Sequence, residues 1–196
     1  MTSLFCFTTP APLLISIAIE QSHKTGGDCI YVDFDDQTHA ILKQAQLSPT
    51  PIRATDHSNW HQRDTAFKTI AMPGILDFPI PSTELPVWQV ISLDRLNFFY
   101  RGNAQKEYDL VTSLNWDLAY VPLDIHHPLP WKLARNHRVM GVQAGPLRTR
   151  EMRDMLTVMN WDVGIPFLEL IVETQLDKAF VDKYGYEAKV YQEQTT

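Results

Sequence analysis

The chain has 196 residues, long enough to bury a sizeable core without metal or disulfide support. Hydrophobic residues at 44% and charged residues at 20% exclude a disordered chain. A net charge of −6 supplies no basic stripe for a phosphate backbone, so no extended nucleic acid is expected as a partner.

The first apolar run, SLFCFT (3–8), is rich in strand formers and ends at the turn TTPAP (8–12). PLLISIAIEQSHKTGG follows with Leu13, Leu14, Ile17 and Ile19 at near-helical spacing, proline at its start and a glycine pair at its end, which is helix punctuation. The strand DCIYVDF (28–34) completes a strand–helix–strand crossover whose right-handedness makes the two strands parallel. DDQTHAILKQAQL (35–47) reads as a second helix with Ile41, Leu42 and Ala45 on one face, and PIRAT (51–55) as a short third strand. Residues 56–86 carry little pattern beyond the apolar fragment TIAMPGIL. Residues 87–102 bear a helical stripe of Val87, Val90, Ile91, Leu93, Leu96 and Phe99, which KEYDLVTSL continues after Gly102.

Alternation is clearest in the second half. WDLAYVPL, RVMGVQAG, FLELIVET and AKVYQ read as strands, with PLPWKLARNH, LRTREMRDMLTVM and QLDKAFVDKYGY as the helices between and Gly185 ending the last. Near-continuous apolar strands between amphipathic helices indicate a sheet covered on both faces. The expected fold is α/β: a single Rossmann-like domain over 1–196, with a doubly wound, mainly parallel sheet of about seven strands flanked by helices.

The two cysteines, Cys6 and Cys29, lie in apolar runs as small hydrophobes, and neighbouring strands would bring them close enough for an optional disulfide. The apolar N-terminus lacks a basic region and is interrupted by Pro10 and Pro12, so it is not read as a signal peptide. No run reaches the length of a membrane span, and a cytoplasmic location is expected.

In an open parallel sheet, ligands bind beyond the carboxyl ends of the strands. The strand-to-helix junctions are TTPAP, DFDDQ (33–37), PLDIHHP (122–128), QAGPLRTRE (143–151) and ETQLD (173–177). PLDIHHP sets Asp124, His126 and His127 directly after a strand, where a carboxylate beside a histidine suits general-base work, although adjacent histidines in a proline-rich loop also commonly face water. In QAGPLRTRE, Arg148 and Arg150 fall in the expected first helical turn against the helix dipole, which points to a bound anion unless Glu151 and Asp154 pair with them. Thr8, Thr9, Gln143, Arg148, Arg150 and Glu173 are the expected substrate-binding residues. GxGxxG, GxxxxGK[ST] and GxSxG are absent, so no dinucleotide, Walker-type or serine-hydrolase site is expected, and no cofactor. DFDD suits a helix cap better than a cation site, and NFFY (97–100) suits core better than a stacking platform. His57, His61, His126 and His127 have no recognised ligand spacing beyond one i, i+4 pair, so no metal is expected.

The stretches WDLAYVPLDIHH, RVMGVQAGP and LIVETQLDKAFVDKYGYEAKVYQ, in this order, resemble the N-terminal domain of a GT-B type glycosyltransferase, and the order of elements matches over roughly residues 3–191. The resemblance implies an acceptor-binding domain for a sugar or glycan that lacks the donor-binding domain and works with a nucleotide-sugar-binding domain in cis or in trans, so that the chain is either the N-terminal half of a longer two-domain enzyme or a stand-alone domain with another role. TTPAP lacks the histidine that many such enzymes carry after the first strand, which leaves Asp124, His126 or His127 as the base. The competing reading is a non-catalytic small-ligand-binding or interaction domain of the same fold.

Overall fold

A computed structural model of the chain describes residues 1–25, 29–33, 36–47, 49–51, 105–124, 129–149, 152–153, 156 and 167–192. In chain order the elements are β1 (Ser3–Phe7), α1 (Pro12–Thr25), β2 (Cys29–Asp33), α2 (Asp36–Gln44), β3 (Pro49–Pro51), α3 (Gln105–Ser113), β4 (Leu118–Pro122), α4 (Leu129–Asn136), β5 (Val139–Val142), β6 (Glu169–Val172), α5 (Gln175–Asp182) and β7 (Ala188–Val190). The helical stripe expected over 87–102 and the unpatterned stretch 56–86 lie outside the described residues. So do most of PIRAT and the NFFY motif.

The strands pair in the order β3-β2-β1-β4-β5-β6-β7, and every pairing is parallel. The chain therefore steps outward from β1 to β3, returns to lay β4 against the other side of β1, and steps the opposite way to β7. Right-handed crossovers in opposite directions place their helices on opposite faces of the sheet. The core divides accordingly. Phe5 and Phe7 of β1 pack with Leu14, Ile17 and Ala18 of α1 and Leu42 of α2. Leu4 and Cys6, one position out of phase, pack on the other face with Val111 of α3, Trp131 and Leu133 of α4, and Val181 of α5. Both faces of β1 are covered, so all five of its residues are buried. This is the α/β arrangement that the near-continuous apolar strands indicate.

Local signals set the element ends. Proline opens α1 where its missing N–H is no loss, and His23 and Lys24 stand in its last turn, complementing the carbonyl end of the dipole. Thr174 caps α5, its side chain accepting from Asp177 N, and Gly185 at φ 80° turns the chain toward β7.

The two thiols correct one expectation. Register pairs Cys6 with Val32 and Cys29 with Ser3, which separates them by about 10 Å along the strands, beyond the reach of a disulfide. They also face opposite cores, and neither is in a disulfide. Burial pushes the Cys6 thiol well above its usual range, leaving it an inert hydrophobe. Among the described residues no helix is long and apolar enough to cross a membrane.

Candidate functional site

The reversal of strand order between β1 and β4 opens a crevice at the carboxyl ends of β1, β4 and β5, with a cavity of about 200 Å³. Thr9 enters it from the loop after β1, and Leu123 and Asp124 from the end of β4. Ala144, Gly145, Pro146, Thr149 and Met152 enter from the segment after β5.

Asp124 is the charged residue of this lining, and the fold holds it from three directions. Leu123 N extends the β4–β5 ladder by donating to Val142 O at 2.8 Å, after which the chain turns and Asp124 N donates to Pro122 O at 2.9 Å. The indole N–H of the fully buried Trp131 donates to the Asp124 carbonyl at 2.7 Å, and the Trp131 ring meets Phe167 edge-on. Thr8, the residue after β1, donates its hydroxyl to the Asp124 carboxylate at 3.3 Å, and both side chains are buried. The Thr8 hydroxyl is one hydrogen-bond partner of a carboxylate held this far out of water.

Gln143 braces the opposite wall. Its backbone N–H donates to Ile171 O at 2.9 Å, its side-chain oxygen accepts from Glu173 N at 2.9 Å, and its side-chain amide donates to Gly145 O at 3.1 Å. The buried side chain thus ties the ends of β5 and β6 together and fixes the Gly145 peptide, while standing outside the crevice lining itself. The N–H groups of Ala144 and Gly145, two lining residues, meet no acceptor among the described residues.

The structure brings together only some of the residues expected from sequence. Thr9 and Asp124 line the crevice. Thr8 and Gln143 stand behind it as supports. Glu173 is exposed and contributes its backbone N–H to Gln143, and Arg148 is exposed outside the lining. His126, His127 and Arg150 lie outside the described residues, as do His57 and His61, and no metal-ligating cluster occurs among the described residues.

The helix start after β5 is a second correction. Thr149 is its cap, with Oγ1 accepting from Met152 N at 3.2 Å and its carbonyl accepting from Arg153 N at 3.1 Å. Arg148 therefore precedes the cap instead of occupying the first turn, and the dipole argument for an anion does not apply to it. Thr149 and Gly145 are lining residues that the sequence reading passed over. A Thr three residues before Met152 at the head of an apolar stripe was the available signal.

An ionised carboxylate only accepts hydrogen bonds, backbone N–H groups only donate, and a hydroxyl does both. Among the described residues Asp124 is the charged side chain of the lining, and a carboxylate can accept the hydrogen bonds that the hydroxyls of a ligand group donate. Leu123, Ala144, Pro146 and Met152 offer apolar wall to the C–H face of such a group. The cavity is smaller than the about 300–1,000 Å³ of drug-sized sites, a size nearer to one ring. No known protein family, curated protein or solved structure matches the chain.

Proposed function

We propose that this chain holds a hydroxylated acceptor, a sugar or glycan, in the crevice over Asp124. It does so as the acceptor-side domain of a GT-B type, nucleotide-sugar-dependent glycosyltransferase whose donor is bound by another domain, in cis or in trans. The observation that carries the reading is a buried carboxylate lining the crevice at the topological switch point, with the Thr8 hydroxyl donating to it. In this reading an acceptor hydroxyl hydrogen-bonds to Asp124. As its oxygen bonds to the anomeric carbon, the bond from that carbon to the nucleoside diphosphate breaks and the hydroxyl proton passes to the carboxylate or to His126 or His127 downstream. The nucleoside diphosphate leaves with the bonding electron pair.

The test is a thermal-shift panel of neutral monosaccharides, nucleoside diphosphates and organic acids on wild type, Asp124→Asn and Arg148→Ala. Neutral sugars raise the wild-type melting temperature, anions do not, and Asp124→Asn loses the response. A shift produced by the anions and abolished in Arg148→Ala would overturn the reading. Transfer is then assayed with a nucleotide-sugar-binding domain added or fused: turnover falls in Asp124→Asn and in His126→Ala or His127→Ala, while their melting temperatures hold.

A second reading is a non-catalytic binding domain, favoured by a lining in which Asp124 is the one titratable side chain among the described residues. It shares the sugar response in the thermal panel. It differs in giving no transfer in any combination with a donor domain.

A further inference from the structure

Three glycines fall among the described residues, and two of them have a reason in the fold. A Cβ at Gly141 would meet Leu170 Cδ2 at 2.7 Å, Leu123 Cδ2 at 3.0 Å and Phe167 Cδ1 at 3.2 Å, so the buried sheet leaves no room for one. Gly185 sits at φ 80°, a conformation side chains resist. Gly145 has neither reason. Its φ lies outside the left-handed region, a Cβ there would meet nothing within 4 Å among the described residues, and the residue is exposed. It nonetheless lines the crevice, and its carbonyl is pinned by the Gln143 amide. A glycine that neither its backbone nor packing among the described residues requires, with its carbonyl held by Gln143 at the edge of a cavity, leaves room there for a ligand.

We propose that Gly145 is the specificity-determining residue of the crevice: the ring admitted beside Asp124 lies against the bare Gly145 peptide, and a side chain at this position shuts it out. The inference rests on the crevice reading above and adds where the ligand sits and what limits its size. The Gly145 N–H, which meets no acceptor among the described residues, is a donor that a ligand hydroxyl oxygen could accept from. Gly145 acts here through direct contact with the ligand, whereas Gln143 acts through it as a positioning residue.

The experiment is isothermal titration of glucose, galactose and N-acetylglucosamine into wild type, Gly145→Ala, Gly145→Val, Gly145→Trp and Asp124→Asn, with the melting temperature of each variant recorded. Gly145→Val and Gly145→Trp are expected to weaken binding roughly tenfold or more, with Gly145→Ala between them and wild type, at unchanged melting temperature. If Gly145→Trp lowers the melting temperature, Gly145→Cys in a Cys29→Ser background carries the test. Its thiol should react rapidly with methyl methanethiosulfonate, and saturating sugar should slow the reaction. Wild-type affinity retained in Gly145→Val and Gly145→Trp, with binding lost in Asp124→Asn, overturns the role of Gly145 and leaves the crevice reading standing. Failure of all three sugars to bind wild type overturns that reading and this one with it.

Discussion

One added methyl group separates two glycines that are close in sequence. Gly141→Ala presses on Leu170, Leu123 and Phe167, and since the nearest atoms are side-chain tips the expected cost is about 1 kcal/mol, the low end for overpacking. Gly145→Ala meets no atom and restricts the unfolded chain, so it is expected to be neutral or to stabilise by about 0.4–1 kcal/mol. Urea denaturation of both variants checks the pair, and equal losses would contradict it. Glu20 gives a residue-scale prediction in pH. It pairs with Lys24 and accepts from the Tyr191 hydroxyl at 2.9 Å, and these contacts hold its carboxyl below its ordinary value of 4.5. A lowered folded value means that the unfolded chain takes up the proton first, so the stabilisation is present above about pH 4.5 and disappears as pH falls through the folded value. Tyr191→Phe is expected to cost about 1 kcal/mol near neutrality, and the gap to wild type should narrow as pH drops to about 3 in denaturation curves. Neither effect was legible in the sequence, because Leu170 and Tyr191 reach Gly141 and Glu20 only through strand order.

At the scale of elements, α5 has only eight residues, so its cap weighs heavily. Thr174 Oγ1 accepts from Asp177 N at 3.1 Å and donates to the Asp177 carboxylate at 2.6 Å. Thr174→Ala should cost about 1 kcal/mol by chemical denaturation, and Thr174→Ser should recover most of it. Such helices were readable from punctuation: proline before Leu13, Thr174 three residues ahead of Asp177, Gly185 at the close. The start of the edge strand was hard to read for the opposite reason. Pro49 and Pro51 argue against a strand by propensity, yet they pair with Tyr31 and Asp33 at the sheet edge, where proline is tolerated because only one side is bonded. The site was half readable. Asp124 and Thr9 follow from the rule that ligands gather beyond strand ends. The inward role of Gln143 depends on Glu173, thirty positions later, and the cap at Thr149 displaced Arg148 from the turn in which its charge would have mattered.

For the molecule as a whole, the sheet separates two cores, and the two thiols report on them independently. Cys29 is half-buried and should react first with a thiol reagent, whereas Cys6, enclosed between β2 and β4, should react only at the rate of global opening. Equal labelling rates in native buffer would contradict this placement. The two-sided burial was readable from the unbroken apolar strands, but which helix covers which face was not, since that follows from the reversal of strand order. The Thr8–Asp124 hydrogen bond has a kinetic consequence. Its partners stand 116 positions apart, and the central pair β1–β4 that brings them together closes a loop of similar length. Because the entropy of so wide a closure must be met before the contact rewards it, folding should be slow for a chain of this size. The β1–α1–β2 crossover can form early, but the pocket is born only when β4 docks. During refolding, sugar responsiveness should therefore appear no sooner than the slowest phase.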